Sequence, residues 1–249
     1  MRFVRSCLAG VFFVAFALGG LVLGILLFPV LAVCGNGPAS RRRMRMLVRA
    51  TYRLFVWAAR AMGLFRVEVS QADRDLLASL RGRVIVANHI SLIDIIILVA
   101  HLGDSTAIAK AAAARNPFYS RIVRSAFLVN DNPETVLDEA GKLLSEGVNL
   151  IVFPEGTRTP PETSDRRLRR GAAQIALAAG APLQPIRISC DTPVLGKGQP
   201  WHEVGARTIV FSLAAGAEIA AQQESVRSHA AAAELTARIG NSLFPCCFR

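Results

Sequence analysis

Between Cys7 and Cys34 the chain carries no charged side chain. A helix needs about 20 apolar residues to cross a bilayer core of roughly 30 Å, so this run is long enough to span a membrane. Gly10, Gly19, Gly20 and Gly24 are tolerated in such a helix, and Pro29 is placed to bend or end it. A cleaved signal peptide is the competing reading, but its apolar core is shorter, about 7–15 residues, with a small-x-small cleavage site after it. Leu31-Ala32-Val33-Cys34 has the form of a lipoprotein signal apart from Val33, a poor fit just before the cysteine. Arg2 and Arg5 precede the run, and Arg41, Arg42, Arg43 and Arg45 follow it. If the run is a single span, the heavier downstream cluster puts the main domain on the cytoplasmic side of an inner membrane. Charge on both flanks fits equally a bent hairpin that dips into one leaflet and returns.

Residues 41–65 continue with helical periodicity. Met44, Leu47, Val48, Leu54, Phe55, Ala58 and Met62 recur at three- and four-residue spacings, with Arg42, Arg45, Arg49, Arg53 and Arg60 largely opposite. This is a basic amphipathic helix suited to an anionic membrane surface. A helix packed on the domain with a solvated arginine face has the same pattern. Composition agrees with lipid contact: 52% of residues are hydrophobic, the mean hydropathy is +0.39 and the formal charge is +11. Anionic headgroups or an acidic carrier protein would answer that charge. Nucleic acid would too, but the arginines cluster beside the apolar run and no DNA- or RNA-binding motif is present, so no nucleic-acid partner is expected. The five cysteines form no C-x-x-C pair, which gives neither a disulfide framework nor a zinc site. No metal is expected.

From residue 66 to 249 short aliphatic runs alternate with helical patterns, in contrast to the membrane-associated region 1–65. Strands are expected at 83–87, 106–109, 126–129, 149–153, 184–189 and 208–213. Helices are expected at 91–101, 111–123, 133–145, 171–179 (ending at Gly180) and 222–239. Such alternation makes an α/β domain with a largely parallel, covered sheet flanked by helices, carrying an N-terminal membrane helix or helical hairpin. Ligands of such sheets sit beyond the carboxyl ends of the strands. Neither a P-loop nor a dinucleotide fingerprint is present, which leaves nucleotide hydrolysis and hydride transfer without support.

Two turns have unusual composition. The first is Asn88-His89-Ile90-Ser91-Leu92-Ile93-Asp94. If the chain turns at Ile90 and Ser91, the Asp94 carboxylate folds back to accept the His89 Nδ1–H, leaving Nε2 to take a proton. This is a base and its orienter with no protein nucleophile, so a substrate hydroxyl attacking a thioester is the natural reaction. Ser91 and Asp94 also have the spacing of a helix capping box, in which case His89 is an ordinary loop histidine. The second turn is Phe153-Pro154-Glu155-Gly156-Thr157-Arg158. Thr157 and Arg158 suit a phosphate, and Gly156 lets backbone N–H groups approach it. Glu155 is odd in an anion site; holding Arg158 and bonding a glycerol hydroxyl both fit it.

Together the two turns resemble the phospholipid-synthesis acyltransferase family, typified by 1-acylglycerol-3-phosphate acyltransferase, which pairs an N-H-x-x-x-x-D box with a later F-P-E-G-T-R box. Leu168-Arg169-Arg170-Gly171-Ala172-Ala173 resembles the basic-Gly segment after the second box, and Ala181-Pro182-Leu183-Gln184-Pro185-Ile186 the family's last box. The resemblance covers residues 84–189. It implies catalysis by His89 and Asp94, and substrate binding by Asn88, Ser91, Glu155, Gly156, Thr157, Arg158, Arg169 and Arg170. It implies acyl-CoA or acyl carrier protein as co-substrate, no further cofactor, membrane lipids as partners and a lysophospholipid-type acceptor. One departure concerns that acceptor. Where the family often has an arginine, this chain reads Asn130-Asp131-Asn132. Either Arg121 or Arg124 substitutes, or the acceptor lacks a glycerol-phosphate headgroup. Residues 159–167 read as a polar lip over the site. The alternative is a membrane-bound scaffold that keeps the fold without activity; the intact His–Asp pair argues against it.

Overall fold

The computed structural model describes residues 2–22, 37–115, 120–130, 132–160, 163, 166–200, 207–221 and 228–245. Two helices come first, α1 (Arg2–Val22) and α2 (Pro38–Ala61). They are followed by β1 (Phe65–Val69), α3 (Gln71–Ser79), β2 (Val84–Ala87) and α4 (Asp94–His101). Next come β3 (Ser105–Lys110), α5 (Ala111–Arg115), α6 (Ser120–Ala126), β4 (Leu128–Asn130), α7 (Pro133–Ser145) and β5 (Asn149–Val152). The chain closes with α8 (Gly171–Ala179), β6 (Leu183–Cys190), β7 (Ile209–Ala215) and α9 (His229–Leu243). The strands form one seven-stranded sheet in the order β1-β7-β6-β2-β5-β3-β4. Among these strands only β6 and β7 pair antiparallel; an isolated antiparallel bridge also joins Leu183 and Ile219.

Every residue of β2 and β5 is buried, which is why β2 and, after Asn149, β5 are apolar runs. Strand periodicity divides the core. Ile85, Ala87 and Ile151 face Phe55, Ile97, Leu98 and Phe211, under α2 and α4. Val84, Val86, Leu150 and Val152 face Ala140, Ala176, Leu235 and Ile239, under α7, α8 and α9. The expected covered, largely parallel sheet is therefore present, with helices on both faces.

The N-terminal helices belong to the first of these faces. Ala9 and Phe12 of α1 are buried. Phe12 and Phe16 pack on Phe55 of α2 at ring distances of 4.7 and 4.4 Å, and Arg5 donates to the carbonyls of Gly63 and Arg207. The opposite side of α1, with Phe3, Val11, Val14, Leu18 and Val22, is exposed and wholly apolar. The remainder of the Cys7–Cys34 run, residues 23–36, lies outside the described residues. Residues 3–22 form a helix long and apolar enough to cross a membrane.

Several elements differ from expectation. The helix expected at 41–65 runs from Pro38 to Ala61, after which β1 and α3 form, neither of them foreseen. Strand β1 lies at the sheet edge, and its Arg66 and Glu68 face solvent; Phe65-Arg66-Val67-Glu68-Val69 alternates strictly, a strand signal unlike the aliphatic runs that mark the central strands. Arg45 is not on the solvated arginine face: it is buried and forks onto Asp104, at 2.6 and 3.0 Å. The single helix expected at 111–123 is two helices, α5 and α6, and residues 116–119 between them lie outside the described residues. Helix α9 begins at His229, with the Ser228 hydroxyl accepting from the Ala231 N–H. Its expected start at 222 falls outside the described residues.

Candidate active site

β2 and β5 are adjacent and parallel, with Val86 beside Val152. The chain therefore leaves the sheet at Asn88 and at Phe153 side by side, beyond the carboxyl ends of central strands, where such sheets hold their ligands. The result is direct contact between the two turns. The His89 imidazole stacks on Phe153 with ring centroids 4.2 Å apart and planes 18° from parallel.

The first turn closes around one carboxylate oxygen. Asp94 Oδ2 accepts from the Ile90 N–H at 2.7 Å and the Ser91 N–H at 2.8 Å, and lies 2.9 Å from His89 Nδ1. An oxygen that already accepts two N–H groups is an acceptor for the third, so Nδ1 carries the ring proton and Nε2 is the basic nitrogen. Among the described residues Nε2 has no hydrogen-bond partner. The imidazole keeps 19% of its surface exposed while Asp94 is wholly buried. Burial raises the Asp94 carboxyl above its ordinary range, opposed by the bonds from His89, Ser91 and Ile90. Half of a capping box exists, since the acid meets the Ser91 N–H. The other half does not: the Ser91 hydroxyl lies 3.5 Å from the Ile93 N–H and does not cap Asp94. The one carboxylate both shapes the turn and orients the histidine.

The second turn holds the backbone of the first. Glu155 Oε1 accepts the His89 N–H at 2.7 Å, and the Thr159 N–H donates to the His89 carbonyl at 2.8 Å. On the far side of β2, Asn88 exchanges two bonds of 2.7 Å with the backbone of Ile188 on β6. The His89 backbone is thereby fixed from both neighbouring strands, the kind of rigid mounting that a precisely placed functional group needs.

Comparison with known proteins agrees with this geometry. Residues 66–189, about half of the chain, match the model of the family described as Acyltransferase. The chain belongs to the acyltransferase family. A 1-acyl-sn-glycerol-3-phosphate acyltransferase of Pseudomonas aeruginosa is 24% identical over 172 residues, which cover 66% of this chain and 63% of that relative's length. The crystal structure of the 1-acyl-sn-glycerophosphate (LPA) acyltransferase, PlsC, from Thermotoga maritima has the same fold. It superposes with a TM-score of 0.62 at 20% identity, over 96% of this chain and 95% of that one.

The acyltransferase motif residues divide by surroundings. Asn88, Ser91 and Glu155 are buried and bonded within the protein. Glu155 does not hold Arg158, as one reading of the motif had it. Its second oxygen, Oε2, meets Arg166 at 2.8 Å in a buried pair. Arg158 instead donates through Nη1 to the carbonyls of Leu195 and Gly196, at 2.7 and 3.1 Å. Thr157, Arg169 and Arg170 are exposed. Gly156 has φ +67°, and Arg169 lies over it so closely that a Cβ there would come within 2.7 Å of Nε. Nothing in the contacts brings the Arg170 guanidinium to the same point. Asn130 and Arg124 are exposed at the β4 side, three strands from β2; the Arg121 side chain and Asp131 lie outside the described residues.

Two parts of the candidate site carry no mark in the sequence. Arg166 is one arginine in a run of them, and only its burial separates it from Arg167. Leu195 has φ +53°, rare for a bulky residue. Its carbonyl accepts both Arg158 and the Leu92 N–H, which hold the loop over the first turn. An apolar crevice beside this loop is lined by Phe12, Phe13, Phe65, Ile93, Val194 and Leu195, among others.

Proposed function

We propose that this chain transfers a fatty acyl group from an acyl thioester, on coenzyme A or acyl carrier protein, to the hydroxyl of a lysophospholipid-type acceptor, 1-acylglycerol 3-phosphate before others. The observation that carries the reading is the His89–Asp94 pair, with a partly exposed Nε2 that has no partner, and no serine or cysteine hydrogen-bonded to it, among the described residues. Nε2 removes the acceptor's hydroxyl proton as its oxygen attacks the thioester carbonyl. The tetrahedral intermediate then collapses, and the departing thiolate takes the proton back from Nε2. Asp94 keeps the tautomer and balances the charge of the imidazolium. No metal and no further cofactor takes part.

Asn88, Ser91 and Glu155 are positioning residues in this scheme. The acceptor's phosphate meets Thr157, the free nitrogens of Arg158, and Arg169, whose guanidinium has no hydrogen-bond partner among the described residues; Arg170 adds charge at the rim. The acyl chain lies toward the crevice between α1 and Leu195. The exposed apolar face of α1, with Leu54 and Trp57 of α2, is immersed in one leaflet, since the opposite face of α1 packs on the domain. The exposed arginines of α2 meet anionic headgroups at the cytoplasmic surface. The names of the Pseudomonas and Thermotoga proteins support this acceptor class.

The test is to incubate the purified protein in vesicles with labelled acyl-CoA or acyl carrier protein and a panel of lysolipids, identifying products by mass. An acylated lysolipid that disappears with His89→Ala is expected. No product with any donor and acceptor, from folded protein, sinks the reading.

A further inference from the structure

The Glu155 carboxylate needs an explanation that the reaction alone does not give. It is buried, it accepts the N–H of the catalytic histidine, and it sits where an anionic acceptor must approach. An uncompensated buried carboxylate there would be costly in itself and would repel a phosphate. Arg166 answers it. Its Nη1 lies 2.8 Å from Glu155 Oε2, with 3% and 2% of the two side chains exposed. Its Nε and Nη2 donate to the carbonyls of Thr163 and Pro160, and its guanidinium lies 4.5 Å over the Phe244 ring at the end of α9. One cation thus joins the lip after the second turn, the C-terminal helix and, through Glu155, the backbone of His89.

We propose that Arg166 is a positioning residue for the reaction: it neutralises and aims Glu155, which in turn sets the backbone, and so the ring, of His89. The inference rests on His89 acting as the base, but its first readout needs no substrate. Among the described residues the charged groups bonded to His89 are Asp94 on Nδ1 and Glu155 on its N–H, with Arg166 behind Glu155. Removing Arg166 leaves a net negative charge beside the imidazole, which favours its protonated form. Removing both members of the buried pair does not.

The experiment compares wild type, Arg166→Met, Glu155→Gln/Arg166→Met and Arg166→Lys in the full chain. The titration of the His89 ring is followed by NMR, the signal being identified by its loss in His89→Ala. Acyl transfer is measured alongside. In Arg166→Met the His89 midpoint rises and kcat falls on the order of tenfold or more, while KM for the thioester changes little. The double variant brings the midpoint back and recovers part of kcat, and the lysine variant lies between. A folded Arg166→Met protein with the wild-type midpoint and kcat overturns the proposal, as does a double variant no better than the single one. If Arg166→Met does not fold, a folded double variant upholds the neutralising role. If neither folds, Arg166 only fastens the lip and the proposal fails. Should no variant or wild type transfer an acyl group, the reading of the reaction falls, and the titration still decides the role of Arg166.

Discussion

The turn after β2 closes its tip on a carboxylate of its own, whereas the side chains of the turn after β5 reach across the chain. Asp94 gathers His89, Ile90 and Ser91 onto one oxygen. Glu155 joins His89 to Arg166, and Arg158 grips Leu195 and Gly196. The first turn is therefore a local device that carries the proposed base. The second is a frame that sets where this device stands. Damage to the first should remove chemistry and leave the fold. Damage to the second should affect geometry, binding and stability together.

The sharpest break is His89→Ala. It removes the base but none of the bonds made by the His89 backbone to Glu155 and Thr159, so the frame persists. The expected loss in kcat is about 10²–10⁴, with an unchanged unfolding midpoint in urea. A folded variant of full activity would refute the base assignment.

Asp94→Asn comes next and separates charge from architecture. An asparagine oxygen in the place of Oδ2 still accepts all three N–H groups, His89 Nδ1 included, while its amide nitrogen is buried without an acceptor where Oδ1 stands and the negative charge that balances the imidazolium is gone. A loss in kcat of about 10²–10⁴ is expected here too, at the lower end because the ring keeps its bond and its tautomer. Stability supplies a second readout. Burial raises the folded carboxyl above its unfolded value, so the folded state holds its proton more tightly than the unfolded state does. The associated stability is complete below the unfolded value, about 4, and is lost as pH rises through the raised one. Urea unfolding from acid to neutral pH should therefore show the asparagine variant gaining on wild type as pH rises. The opposite trend would mean that the bonds to Asp94 outweigh its burial.

The same contrast governs what was legible in the sequence. Asn88–Asp94 is complete in one short stretch, so its pairing could be read from spacing, and its ambiguity with a helix cap reflected a carboxylate that serves both ends. The central strands showed as apolar runs because both their faces are covered. Arg166, Leu195 and the Asn88–Ile188 exchange depend on which strands become neighbours, and no local pattern encodes that. For Arg158, the residue type was informative but its partner was not. Edge strand β1 went unseen because its signal is a short alternation, Phe65-Arg66-Val67-Glu68-Val69, and not the aliphatic run that marks the central strands, and Arg45 was misplaced because Asp104 draws a charged side chain out of the amphipathic pattern.

Arg158→Ala probes the frame at its acceptor side. Losing a charge-assisted contact to a phosphate, worth about 1.5–3 kcal/mol, raises KM for the acceptor roughly tenfold or more. Losing the grip on Leu195 affects every acceptor alike. Comparing a lysophosphatidic acid with its phosphate-free monoacylglycerol therefore divides the two roles. A loss confined to the phosphorylated acceptor assigns the phosphate contact, and an equal loss for both makes Arg158 a loop clamp alone.

The smallest effect is expected at Gly156, where frame and acceptor site meet. Alanine there must adopt φ +67°, which costs about 1 kcal/mol for a residue with a Cβ. Its methyl also meets the Arg169 side chain, whose flexible end is free to swing outward. Stability should fall by little more than the backbone cost, about 2–4 °C in Tm for a chain of this size. Activity should fall further, because Arg169 no longer lies where the phosphate arrives. Repeating the substitution with Arg169 already changed to Ala tests that cause: the drop in Tm should remain, while the drop in activity from Gly156→Ala should shrink. If both persist unchanged, the backbone conformation of the second turn, not the position of Arg169, is what the acceptor depends on.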